Sequence, residues 1–128
     1  YIDAVKKEPG KFIMGGTVPG HTTDAVCAML AVHIGADLFI NATNVDGVYE
    51  KDPKKNPAAK RFDRLTTSQL LRIVETESYL AGASAVIDPK AARIIHENKI
   101  KTIIVDGREV RNIVDAIGGI VRGTVIEK

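Results

Sequence analysis

Residues Gly15-Gly16-Thr17-Val18-Pro19-Gly20-His21-Thr22-Thr23-Asp24, followed at once by the apolar run that begins Ala25-Val26-Cys27-Ala28, decide how this chain is built. The order reads as a strand end, a loop of small residues and a helix start. Proteins of the α/β class build anion sites this way. Backbone N–H groups at a helix N-terminus aim at a phosphate, and small residues let it come close. Asp24 complicates the reading. A carboxylate in a first helical turn is favourable with the helix dipole, but it repels a phosphate unless a cation stands between them.

Upstream of the loop, Lys11-Phe12-Ile13-Met14 is a short apolar run stopped by Gly15-Gly16, which predicts a buried strand. Downstream, Thr22 or Thr23 is placed to N-cap the helix. Ala25 to Ile34 is apolar nearly all round, so the helix should be covered on most sides, and Gly35 should end it. Cys27 is the only cysteine; it can form no internal disulfide and reads as a small buried residue. Leu38-Phe39-Ile40 predicts the next strand and a strand–helix–strand unit with a parallel, right-handed crossover. Beyond it, Asp46-Gly47 signals a hairpin or tight reversal, with Asp46 read as turn-forming. The Asn41-Ala42-Thr43 sequon falls at the end of a buried strand, so glycosylation is not expected there.

Glu50 to Arg64 is polar, carries Pro53 and Pro57, and reads as an excursion within the domain. Its basic residues Lys51, Lys54, Lys55, Lys60, Arg61 and Arg64 read as a solvated surface that also draws in anions. Thr66-Thr67-Ser68-Gln69 has capping-box spacing ahead of a helix with Leu70, Leu71 and Val74 on one stripe. Asp88-Pro89 marks another helix start, with Ala91, Ile94 and Ile95 as its buried face. Lys101 to Val105 predicts a strand closed by Asp106-Gly107. A short helix with Val110, Ile113, Val114 and Ile117 then stops at Gly118-Gly119, and Gly123-Thr124-Val125-Ile126 predicts a closing strand. The alternation argues for an α/β fold with a largely parallel sheet.

The bulk properties agree with one domain portion over residues 1–128. The composition is 45% hydrophobic and 27% charged, which belongs to a packed globular chain. A net charge of +2 from mixed signs gives no argument for nucleic acid. No apolar run reaches the roughly 18 residues of a membrane span, and no signal-peptide pattern opens the chain, so a cytoplasmic protein is expected. His33 and His96 fall in helices without metal-ligand spacing, and no metal site is expected from side chains. Tyr1-Ile2-Asp3-Ala4-Val5 reads as the end of an element already under way, which suggests a piece of a longer protein.

In open α/β sheets, ligands bind beyond the carboxyl ends of strands. Two loops leave such ends here, Gly15 to Asp24 and Asn41 to Asp52. Their motifs, together with Ala36-Asp37-Leu38-Phe39-Ile40, Asp52-Pro53, Phe62-Asp63-Arg64-Leu65, Val86-Ile87-Asp88-Pro89 and Gly123-Thr124-Val125-Ile126, resemble the archaeal type of uridylate (UMP) kinase, within the amino acid kinase family. The resemblance covers nearly the whole chain from Phe12. It implies a three-layer sandwich of that family's kind with the N-terminal part absent.

It further implies transfer of the ATP γ-phosphoryl group to UMP, with Mg²⁺, in a homohexameric enzyme. Thr17, Val18, Pro19, Gly20, His21, Thr22 and Thr23 would form the UMP loop, with Thr23 nearest the phosphate. Thr43, Asn44, Tyr49 and Asp52 would form the ATP site. Asp24 would orient catalytic lysines, which removes its conflict with phosphate, and Lys90 falls where some relatives carry a second catalytic lysine. The family's glycine-rich first strand and its lysine are not seen ahead of Tyr1, so the piece alone is expected to be inactive. Two rivals remain. One is a kinase of another small phosphorylated metabolite such as isopentenyl phosphate, disfavoured by the threonines of the loop; the other is a nucleotide-binding module without activity.

Overall fold

Among the described residues four strands, β1 (Phe39–Thr43), β2 (Arg64–Thr66), β3 (Thr102–Asp106) and β4 (Thr124–Glu127), form one sheet in the order β1-β3-β4-β2. The computed structural model describes residues 10, 11, 13, 15, 22–50, 55–79 and 86–128. β1 and β3 run parallel, with Thr43 opposite Asp106, and β2 and β4 run parallel, with Thr66 opposite Glu127. β3 and β4 are antiparallel, so the sheet is mixed, with two parallel pairings out of three.

Helices α1 (Thr23–Ile34), α2 (Thr67–Tyr79) and α3 (Pro89–Asn98) lie on one face, and α4 (Val110–Ile117) lies on the other. The period-2 alternation of strand side chains makes this division. Phe39, Leu65, Ile104 and Ile126 point into the core shared with Ala28, Leu70, Val74, Ala91 and Ile95. Their neighbours Ile40, Ile103, Val105 and Val125 point the other way, against Ile113 and Ala116 of α4. The result is the expected three-layer α/β sandwich.

The caps are those the sequence signals. Thr22 Oγ1 accepts from the Ala25 N–H at 3.2 Å, and Gly35 closes α1 at φ +66°, where a side chain would be strained. Thr66 and Gln69 form a reciprocal capping box: Gln69 Oε1 accepts from the Thr66 N–H at 2.9 Å, and Thr66 Oγ1 accepts from the Gln69 N–H at 3.1 Å. A box of this kind contributes about 1 kcal/mol to its helix. Asp88 caps α3 with Pro89 in its first turn.

Four expectations are corrected. Of the strand predicted at 11–14, the described Lys11 and Ile13 have no strand assignment, and Ile13 is fully exposed rather than buried. Phe12 and Met14 lie outside the described residues. Cys27 is exposed rather than buried, because Ala25, Val26, Ala28 and Ala31 occupy the packed side of α1. After Asp46-Gly47 the chain makes no tight hairpin. It returns, among the described residues, to an isolated antiparallel bridge between Tyr49 and Arg61. Finally, Arg64 to Thr66 is a strand, β2, where a polar excursion was read as far as Arg64. Only Leu65 is buried in it, too little for a period-2 signal.

Candidate active site

Two helix starts meet beside the sheet. Asp24, in the first turn of α1, is half-buried, and its Oδ2 accepts from the backbone N–H of Asp88, the N-cap of α3, at 3.2 Å. Burial pushes the Asp24 carboxyl up from its ordinary range; the Asp88 N–H opposes this, and the Asp88 charge adds to it. The junction thus holds two carboxylates between two positive helix ends. Partial loss of water around its sulfur, and after it the same carboxylate, push up the Cys27 thiol, so Cys27 is not an activated nucleophile.

β1 ties this junction to the sheet. Asn41 is buried in β1, and its Nδ2 donates to the Val86 carbonyl at 3.4 Å, two residues ahead of Asp88. Asn41 faces the same layer as Phe39, which is where α1 and α3 pack. A polar side chain in a β1 otherwise lined by apolar neighbours is therefore explained by the segment it holds.

Past Asn41, β1 ends at Thr43, whose hydroxyl donates to Asn44 Oδ1 at 3.5 Å. The loop that follows is built around Asp46. Its Oδ1 accepts from the Tyr49 hydroxyl at 2.7 Å, and its Oδ2 accepts from Arg61 at 3.0 Å. The bond to Asp46, then burial, push the Tyr49 phenol up, while Arg61 opposes them. Asp46 is therefore more than a turn residue; it fixes the ring of Tyr49. Arg61 is likewise more than a solvated cation.

Neighbouring strands carry the rest. The Gly107 N–H, just past β3, donates to the Thr43 carbonyl at 2.8 Å, which holds the two parallel strand ends together. Arg108 clasps Asp106 through its Nε at 3.0 Å and an Nη at 2.7 Å, holding that carboxyl down to about 2. Thr124 of β4, fully buried, places its hydroxyl against the loop at Val48. A Cβ on Gly47 would stand 2.6 Å from that Oγ1, so glycine is required there by close approach.

Of the residues read as functional, Thr22, Thr23 and Asp24 lie at the start of α1, and Lys90 lies exposed in the first turn of α3. Asp24 and the start of α3 are brought together; Thr43, Asn44 and Tyr49 lie together on the loop from β1. Thr17, Val18, Pro19, Gly20, His21 and Asp52 lie outside the described residues. Sequence reading missed Asp46, Arg61, Asn41 and Thr124. Asn41 had a signal, an amide in a predicted buried strand. Thr124 had none, because its partners are distant in sequence.

The chain matches the Amino acid kinase family over residues 9–106. It is similar to the uridylate kinase of Thermococcus kodakarensis, with 53% identity over 123 residues, covering 96% of this chain and 53% of that protein. A crystal structure of uridylate kinase from Archaeoglobus fulgidus matches with a TM-score of 0.77 at 53% identity, over 88% of this chain and 50% of that one. UMP kinase from Bacillus anthracis matches with a TM-score of 0.71 at 24% identity, over 86% of this chain and 42% of that one, a likeness of fold alone. The chain spans about half the length of the relatives it matches.

Proposed function

This chain belongs to the amino acid kinase family, and on that premise we propose that it is part of a UMP kinase of pyrimidine nucleotide synthesis. The observation that carries the proposal is the junction of Asp24 with the α3 N-terminus, tied by Asn41 to the strand whose carboxyl end leads to Tyr49. In this reading Asp24 belongs to the acceptor side and Tyr49 to the donor side, and β1 with the segment at Val86–Asp88 runs between them.

In the reaction proposed, a phosphate oxygen of UMP attacks the γ-phosphorus of ATP. The bond from that phosphorus to the β,γ-bridging oxygen breaks, giving UDP and ADP. Catalysis of this transfer is mainly alignment and neutralisation of charge. Thr17 to Thr23 bind UMP, with the Thr22 and Thr23 end at the positive start of α1. Thr43, Asn44, Tyr49 and Asp52 bind ATP. Asp24 orients cationic side chains toward the transferring group, and Lys90 is proposed as one of them.

Mg²⁺ belongs to the same proposal. It is usually held by nucleotide phosphates and water with one or two carboxylates, and Asp24 and Asp88 fit that mode. Among the described residues no cluster of three or more ligating side chains stands ready to bind a metal by itself. Bound Mg²⁺ would supply charge neutralisation at the phosphates. A cytoplasmic, homohexameric enzyme completes the reading; no helix among the described residues is long and apolar enough to cross a membrane.

The test is phosphoryl transfer by the intact protein, followed as UDP and ADP formation. UMP-dependent turnover supports the proposal. Phosphorylation of isopentenyl phosphate without UMP turnover overturns it. ATP binding by calorimetry with no transfer to any acceptor would reduce it to a nucleotide-binding module.

A further inference from the structure

The ribbon that presents Tyr49 is irregular on both sides of its bridge. Antiparallel strands alternate pairs that exchange two backbone hydrogen bonds with pairs that exchange none. Tyr49 and Arg61 form a pair of the second kind, so the pairs on either side should each exchange two. Each exchanges only one. The Phe62 N–H donates to the Val48 carbonyl at 2.8 Å, and the Glu50 N–H donates to the Lys60 carbonyl at 3.0 Å.

The return bond is intercepted in both places. At one end, the Lys60 N–H donates to the Glu50 carboxylate at 3.3 Å instead of to its carbonyl. At the other, the Thr124 hydroxyl stands in the ladder. Its oxygen accepts from the Val48 N–H at 2.9 Å, and its proton goes to the Phe62 carbonyl at 2.6 Å. Thr124 comes from β4, lies 76 residues from Val48, and is fully buried. Both its donor and its acceptor capacity are used within the ribbon.

We propose that Thr124 is a positioning residue for the donor nucleotide. Its hydroxyl wedges the ribbon open beside Val48 and so sets the path of the chain into Tyr49. The proposal rests on the reading of this loop as the ATP site. The wedge accounts for the missing return bond at the Val48–Phe62 pair and for the need for glycine next to it. The hydroxyl of Thr124 makes both bonds to the ribbon. A threonine-to-valine change therefore removes both bonds with little change of volume.

The experiment compares T124V and T124S in the intact protein, by amide exchange at Val48 and by the KM values for ATP and UMP. In T124V the Val48 amide should exchange about tenfold faster or more, while Val125 and Ile126 stay protected. The KM for ATP should rise roughly 5–10-fold, with the KM for UMP within about twofold. T124S, which keeps the hydroxyl, should restore both. Unchanged Val48 exchange in T124V, or equal rises in both KM values, overturns the proposal. Faster Val48 exchange with unchanged ATP binding also overturns it, and then the fault lies in the reading of the loop. Should T124V fail to fold, G47A presses a Cβ against the same hydroxyl and should give the same split between ATP and UMP.

Discussion

The loop after β1 and the junction of α1 with α3 are both held by a carboxylate, and they use it in opposite ways. Asp46 meets a phenol and a guanidinium, so its charge is compensated where it stands. Among the described residues Asp24 meets one backbone N–H and a second carboxylate, and burial works against its charge. The first arrangement is that of a part whose task is to keep its shape. The second carries an electrostatic load that folding alone does not require, and such loads collect where chemistry is done. On the proposed reading, the difference is that between a positioning group and a catalytic one.

The largest effect should come from the loaded side. Asp24→Asn keeps the size and an oxygen for the Asp88 N–H but removes the charge. Turnover in the intact enzyme should fall about 100-fold or more, with the KM for UMP moving far less. Steady-state kinetics decides this; unchanged turnover would make Asp24 as structural as Asp46 and end the contrast.

Next comes the compensated side. Asp46→Asn removes the charge that holds Arg61 and weakens the hold on Tyr49. The KM for ATP should rise about tenfold. Tyr49→Ala should do likewise, each with little effect on UMP. A larger effect on UMP than on ATP would mean that the two sites are interchanged.

The same contrast should appear in stability. Because the Asp24 carboxyl sits above its ordinary range in the folded chain, the fold binds that proton more tightly than the unfolded chain does. Stability from this group is present at low pH and is lost as the pH rises through the folded value. Thermal melts should therefore find Asp24→Asn more stable than the parent at neutral pH, with the gap closing toward acid. A variant less stable at pH 7 would show that the carboxylate is favourable where it stands.

The smallest effect belongs to Asp106 and Arg108, an exposed pair whose value is reduced by solvent. Here the carboxyl lies low, at about 2, so its stabilisation is present above the ordinary carboxylate value and lost as the pH falls toward 2. Arg108→Ala should lower the melting temperature slightly at neutral pH and not at all near pH 2.

What the sequence revealed follows the range of each interaction. Caps and turns are local, and Thr22, Gly35, the Thr66–Gln69 box and Asp88-Pro89 all stand where their spacing puts them. The three helix faces and the strands from Phe39, Thr102 and Thr124 follow from apolar period. β2 escaped because three residues with one buried side chain carry no period. Asp24 was legible as an anomaly, a carboxylate behind an anion loop. Its partner Asp88 was seen only as a cap, because nothing in spacing says that two helix starts 64 residues apart will touch. Cys27 was misread by composition: an apolar run does not say which side of a helix the rest of the chain will cover. Thr124 is the extreme case, a residue whose neighbours in sequence give no hint of its neighbours in space.

The wedge at Thr124 also imposes an order of events on synthesis. A ribosome adds roughly 5–20 residues per second, so the loop at Val48 leaves it on the order of 4–15 s before the hydroxyl that shapes it has been made. During that interval the nascent loop can cap and turn locally, and Asp46 can already reach Tyr49, but the Val48 N–H lacks its final partner. The final course of the loop should therefore be set late, when β4 docks. Contacts of such long range are also the slow ones in refolding.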